Sequence, residues 1–131
     1  MSSPAKIVLD ASAVLALLLR EPGWEKLHPE LLVDAVVSTV NLAEVQTKLV
    51  KWGYDPEEAW QDASSLVPTI EPYDGEQAKI AGTMIRTTEK YGLSLGDRSC
   101  LALAISLKAE VYTTERLWKG LKVGVPIHVI R

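Results

Sequence analysis

The chain has 131 residues, 47% hydrophobic and 24% charged, the balance of an ordinary globular protein rather than a disordered one. Its 17 acids against 14 bases leave a net charge of -3. That excludes a basic coat for nucleic acid, though not a nucleic-acid substrate drawn in by a bound metal or a local patch. The single cysteine, Cys100, allows no intrachain disulfide, gives no sign of an oxidising compartment, and sits in an apolar run that reads as core.

The opening MSSPAK has no apolar stretch after a basic segment, and the longest uninterrupted apolar run, Ala13–Leu19, is far too short to span a bilayer. The expectation is a soluble, cytoplasmic protein with no membrane contact, folded as one domain over residues 1–131.

Strand-like and helix-like segments alternate along the chain. Lys6–Leu9 reads as a buried strand. Ser12–Leu19 reads as a helix, stopped by Pro22 and Gly23. A second short helix is predicted from about Trp24 to Leu31, then a strand over Ala35–Val37. Asn41–Trp52 carries Leu42, Val45 and Leu49 at helical spacing, with Gly53 where a C-terminal cap belongs.

Asp55-Pro56 opens the next helix, with Glu57 and Glu58 in its first turn. Thr69–Glu71 is a candidate edge strand. Asp74 and Gln77 resemble a capping box for a helix over 75–91, closed by Gly92. Ser94 is placed to cap a helix over 97–108. A strand at Glu110–Thr113, a short helix at Glu115–Lys119 and a strand at Ile127–Ile130 complete the chain. Such alternation predicts a parallel sheet covered on both faces, with its crevice beyond the carboxyl ends of the strands.

Four acids fall at those ends. Asp10 follows the first strand, Glu44 and Asp97 lie in first turns of helices, and Glu115 follows the fourth strand. Right-handed crossovers bring all four to one edge of the sheet. Converging carboxylates repel, so either some hold protons or a cation sits among them. Oxygen donors with open positions suit Mg²⁺, or Mn²⁺, better than zinc. His28 and His128 have no zinc-ligand spacing. Singly, each acid reads as well as a capping or dipole residue. Together they favour a metal centre, with Asp10 least in need of a capping role because Ser12 also caps well.

The residues also resemble a known family. "VLDASAVLALLLREPG" looks like the opening of PIN-domain ribonucleases of the VapC toxin type. "VNLAEVQTKL" resembles their second motif, with Glu44 as its acid. "YGLSLGDRSCLALAISLKAEVYTTERLW" resembles the third and fourth, carrying Asp97 and Glu115, and "GVPIHVIR" resembles the last strand. Glu115 stands where the family usually has Asp, and Arg98 where a small residue is common.

The resemblance implies a three-layer α/β/α sandwich on a short parallel sheet, PIN-like. It implies a Mg²⁺-dependent endoribonuclease, the toxin of a toxin–antitoxin pair, acting as a homodimer and neutralised by a small antitoxin protein. Asp10, Glu44, Asp97 and Glu115 would be the catalytic and metal-holding acids. In-line attack on RNA would leave a 5′-phosphate and a 3′-hydroxyl.

Four further residues are candidates for contacting substrate. Ser12 either bonds a phosphate or a metal water, or caps its helix. Asn41 either orients Glu44 or caps its helix. Arg98 either contacts phosphate or is a solvated helix-face charge. Thr113, with Thr114, carries a weaker version of the same choice. Trp24, Trp52 and Trp60 read as core by default and as a partner-binding groove otherwise. Two other functions compete: a non-catalytic PIN-like binding module, and an aspartyl-phosphate phosphotransferase with Asp10 as nucleophile. The second is disfavoured by Asp10-Ala11-Ser12, which lacks a second Asp.

Overall fold

The structure, a computed structural model, describes residues 6–131; the opening segment read for a leader falls largely outside the described residues. Five strands form one parallel sheet: β1 (Ile7–Leu9), β2 (Ala35–Ser38), β3 (Thr69–Glu71), β4 (Glu110–Thr113) and β5 (Ile127–Val129), in the spatial order β3-β2-β1-β4-β5. The chain winds outward from β1 to β3, then returns to lay β4 against the other side of β1. The winding direction therefore reverses between β1 and β4, the place beyond the carboxyl ends where sheets of this kind bind ligands. Val8 pairs in register with Val36 on one side and Val111 on the other.

The helices are α1 (Ala11–Leu19), α2 (Pro29–Leu32), α3 (Thr39–Lys51), α4 (Pro56–Leu66), α5 (Gly75–Thr83), α6 (Ile85–Thr88) and α7 (Leu95–Leu107). Alternation along the strands sorts them into two layers. Ile7, Leu9, Ala35 and Val37 face one way, into a core with Val14, Leu42, Val45, Leu49 and Ala63 from α1, α3 and α4. Val8, Val36 and Val111 face the other way, onto Leu101, Ala104 and Met84 from α7 and the end of α5, closed by Trp118 and Leu121. This is a three-layer α/β/α sandwich, as expected. Cys100 is fully buried in the second core.

Several caps are those legible in the sequence. The Asp55 and Asp74 carboxylates accept from the backbone N–H groups of Glu58 and Gln77. Ser94 and Asp97 form a reciprocal capping box on α7, which starts at Leu95, two residues before the predicted start. Three expectations need correction. The helix predicted over 75–91 is broken into α5, α6 and a 3-10 turn at Glu89–Tyr91. The Thr87 and Thr88 hydroxyls both donate back to the Met84 carbonyl, side-chain bonds that compete with the helical ladder. The helix predicted from Trp24 to Leu31 is a 3-10 turn at Trp24–Lys26 followed by the single turn of α2. Trp52 and Trp60 are exposed and Trp24 is half-buried, so none of the three is a fully buried core residue. Among the described residues, no helix is long and apolar enough to cross a membrane.

Candidate active site

Asp10 stands at the reversal between β1 and β4. Its backbone N–H donates to the Tyr112 carbonyl at 3.2 Å, carrying the strand register one step past Leu9 and placing Asp10 beside Thr113. The side chain is almost wholly buried (3% exposed). One carboxylate oxygen, Oδ1, accepts from the Ala13 N–H at 2.8 Å and the Ser12 hydroxyl at 2.7 Å. The other, Oδ2, accepts from the Thr113 hydroxyl at 2.6 Å. Asp10 is thus the N-cap of α1. Ser12 does not cap it but lies within the first turn and serves Asp10. The capping role that looked dispensable is real, and the carboxylate carries it while bonded to a neighbouring strand.

All three donors are neutral and none is a cation. Burial pushes the Asp10 carboxyl up to about 6, because removing a carboxylate from water disfavours its charged form. The bonds from Thr113, Ser12 and Ala13 pull in the opposite direction, and the Asp97 charge adds a smaller upward push. The sequence had assigned this rise to mutual repulsion among the acids. Its main cause is desolvation.

The network extends across the crevice. The Thr113 hydroxyl also accepts from the Glu115 N–H at 3.0 Å, and the Ser12 hydroxyl accepts from the Thr114 N–H at 3.0 Å. The bend after β4 is thereby tied to the start of α1. Thr113, fully buried, is a fixed part of the site rather than a surface hydroxyl.

Glu44 is held from the opposite side of β1. Ser38 caps α3 by accepting from the Val40 N–H, which frees Asn41 from capping. The Asn41 amide donates to Glu44 Oε1 at 2.8 Å and to the Gly96 carbonyl at 3.0 Å. Both N–H bonds of that amide are used, and its oxygen is buried with no protein donor. Gly96 explains how the carboxylate fits: a Cβ built there would lie 2.2 Å from Glu44 Oε2. The Glu44 carboxylate occupies the space that any other residue at 96 would fill. Sequence reasoning missed Gly96; the available signal was a glycine in the first turn of a helix, where no positive φ requires it.

Asp97 follows, with its carboxylate accepting from the Ser94 N–H at 2.9 Å. Arg98 points away. Its guanidinium donates to the Ala81 carbonyl at 2.9 Å, tying α7 to α5; it is neither a free cation nor a fully solvated one. Glu115 is exposed, with only its backbone N–H bonded into the site.

The structure brings Asp10, Glu44 and Asp97 into one neighbourhood. The Cys100 thiol beneath them is pushed well up, first by burial and then by the charges of Asp10, Asp97 and Glu44. The carboxylates do not close on a point. Among the described residues, no three Asp, Glu, His or Cys side chains are close enough together to hold a metal ion. Asp97 is turned back onto its cap.

The donor set nonetheless suits a divalent ion. It is oxygen-only, as Mg²⁺ and Mn²⁺ prefer. It includes a buried carboxylate with no cationic partner and a buried amide oxygen, that of Asn41, with no donor.

The PIN domain family model matches residues 7–120, and the chain belongs to that family. PIN-domain nucleases as a class use divalent metal ions. Among solved structures, the chain is similar to DNA-bound VapBC from Salmonella typhimurium, with a TM-score of 0.76 and 18% identity over 95% of this chain and 98% of that one. It is similar to VapBC2 from Rickettsia felis bound to a promoter DNA fragment, with a TM-score of 0.72 and 18% identity over 93% of this chain and 96% of that one. For VapBC-1 from nontypeable Haemophilus influenzae the TM-score is 0.69, with 19% identity over 93% and 96%. At these identities the likeness is one of fold. A comparison with curated protein sequences finds no match.

Proposed function

We propose that this chain is a metal-dependent endoribonuclease of the VapC toxin type, a cytoplasmic protein that acts as a homodimer and is neutralised by an antitoxin. One observation carries the reading: a buried carboxylate, Asp10, at the reversal point of a PIN-fold sheet, fixed by three neutral donors and paired with no cation. The solved complexes that share the fold are toxin–antitoxin assemblies, which supports an antitoxin partner here. Both cores share one sheet, which supports a single domain over 1–131.

In this reading Asp10, Glu44 and Asp97 hold Mg²⁺, or Mn²⁺, and Glu115 takes a peripheral part. Bound there, the ion would neutralise phosphate charge and polarise a phosphoryl oxygen as a Lewis acid. The protein's own groups do the positioning. Thr113 and Ser12 fix the Asp10 carboxylate on both of its oxygens. Asn41 aims Glu44, and Gly96 leaves room for it. Water would attack phosphorus in line and lose its proton, the P–O3′ bond would break, and the departing 3′-oxygen would take up a proton, leaving a 5′-phosphate and a 3′-hydroxyl.

The test is incubation of total RNA with the protein in Mg²⁺ and in EDTA, with the new ends mapped chemically. Discrete cuts with 5′-phosphates, present in Mg²⁺ and absent in EDTA, are expected. Cuts that persist in EDTA, or that leave 2′,3′-cyclic phosphates, would contradict the mechanism.

Glu115, exposed and standing where the family usually has Asp, favours a second reading, a non-catalytic PIN-like module. It separates from the first by Mg²⁺ titration, since a scaffold need not bind the ion at Asp10. The phosphotransferase reading has no such support: the residue two places after Asp10 is Ser12, which donates to the same carboxylate oxygen as Ala13.

A further inference from the structure

A cleft of about 470 Å³ lies along β5, the edge strand beside β4, lined by Arg116, Lys119, Ile127, His128, Val129 and Arg131. In a chain of net charge -3, its lining holds three permanent cations and a histidine and no acid. Its position is fixed relative to the candidate active site. Arg116 directly follows Glu115. The Ile130 N–H donates to the carbonyl of Thr113 at 2.9 Å, and Thr113 holds Asp10. β5 runs parallel to β4, so the cleft's Arg131 end lies on the same sheet edge as the acids.

The cations differ in how they are engaged. His128 is bonded to Glu110 at 2.6 Å, and its ring stacks on Tyr112. Arg131 donates to the Pro22 carbonyl and lies 3.9 Å from the Glu21 carboxylate. Arg116 and Lys119 have no ion-pair partner among the described residues. Their backbone is anchored. They flank Trp118 in a 3-10 turn, Arg116–Trp118, and that turn is pinned because Trp118 and Leu121 are buried in the core while Arg116 and Lys119 are exposed. Unpaired cations on an anchored turn, next to Glu115 and on the sheet edge that carries Asp10, would attract a polyanion whose scissile phosphate must approach the acids.

We propose that this cleft is a phosphate-binding subsite, in which Arg116 and Lys119 hold backbone phosphates of single-stranded RNA flanking the scissile bond. The assignment rests on the ribonuclease reading above. It gives an acidic protein the local cationic surface that its composition as a whole lacks. Such contacts position the strand and read no sequence.

The probe is a fluorescein-labelled single-stranded RNA. Its binding is measured by anisotropy in EDTA as a function of salt, and its cleavage in Mg²⁺. Arg116→Ala/Lys119→Ala is compared with wild type and with Lys48→Ala/Lys51→Ala, which removes two cations from the last turn of α3, at the opposite edge of the sheet. Loss of two phosphate contacts should weaken binding at low salt by roughly tenfold or more and reduce the slope of log K against log salt by about 1.4. KM for cleavage should rise in step, and the α3 variant should match wild type.

Unchanged affinity, salt slope and KM in Arg116→Ala/Lys119→Ala, in a wild type that binds and cleaves RNA, would overturn the subsite and leave the ribonuclease reading standing. A wild type that neither binds nor cleaves RNA would overturn both. An equal loss in the α3 variant would show diffuse attraction and overturn the subsite. So would a change in self-association or antitoxin binding with RNA affinity intact.

Discussion

Asp10 and Glu115 follow adjacent strands of the same sheet, and the sequence puts both in one acidic set, Glu115 in a supporting place because it stands where the family usually has Asp. Their surroundings differ. Asp10 is buried, accepts three hydrogen bonds from neutral donors and has its carboxyl raised to about 6. Glu115 is exposed, and only its backbone enters the network. A buried charge without a counter-charge is costly; an exposed one is solvated at little cost. The position where the fold tolerates that cost is where a cation would be most strongly held.

The largest expected effect follows from Asp10→Asn, which keeps the shape and the capping oxygen but removes the charge. Loss of groups that merely support metal ligands costs roughly 10–100-fold, so loss of this carboxylate should reduce Mg²⁺-dependent cleavage by more than that. A folded Asp10→Asn protein with near wild-type turnover would end the assignment.

Gly96→Ala should follow. The new Cβ would displace the Glu44 carboxylate, which can swing away at the end of its flexible side chain. Cleavage should fall by about tenfold or more, whereas thermal stability should hold or rise, since alanine favours a helix over glycine by roughly 1 kcal/mol. Equal activity would show that Glu44 need not sit against α7.

Thr113→Val tests the support of Asp10 while leaving its carboxyl group in place. It removes the donor to Oδ2 and should cost about 1–3 kcal/mol in urea unfolding at neutral pH, with a smaller loss of activity than Asp10→Asn. Stability equal to wild type would show that the hydroxyl is not what holds the carboxylate. The smallest effect should be that of Glu115→Ala, which should lower turnover less than Asp97→Ala does. Complete loss in both, measured side by side, would make Glu115 a full member of the site and remove the contrast.

Much of this geometry was legible in the residues. The strand ends, the Ser94 capping box and the family motifs placed Asp10, Glu44 and Asp97 at one edge before any coordinates. Residues whose role depends on a distant partner were not legible. Nothing local to Thr113 says that it meets Asp10, 103 positions earlier; the β1–β4 register decides that. The sequence around Asn41 fits capping and orienting equally, and it orients because Ser38 captures the cap and Gly96, 55 positions on, supplies the second partner. Arg98 reads in the sequence as a phosphate contact or a solvated helix-face charge, and the packing of α7 on α5 gives its guanidinium the Ala81 carbonyl instead. The helix over 75–91 is read from its two ends, Asp74 with Gln77 and Gly92, and end signals say nothing of the interior, where the Thr87 and Thr88 hydroxyls bond back to the Met84 carbonyl.

The most direct test of the buried, uncompensated charge at Asp10 is unfolding of wild type and Asp10→Asn in EDTA and in millimolar Mg²⁺. The folded-state pKa of about 6 lies above the ordinary 3.8. Between those values the folded protein holds a proton that the unfolded chain has lost. The stability from that proton is fully present below the unfolded value and is lost as pH rises through the folded one. In EDTA at neutral pH, Asp10→Asn should therefore be more stable than wild type, on the order of 1–3 kcal/mol. Mg²⁺ should stabilise wild type by mass action and leave Asp10→Asn unmoved, narrowing or reversing the order. If the two proteins unfold alike in both buffers, Asp10 is only the cap of α1 and the metal centre fails.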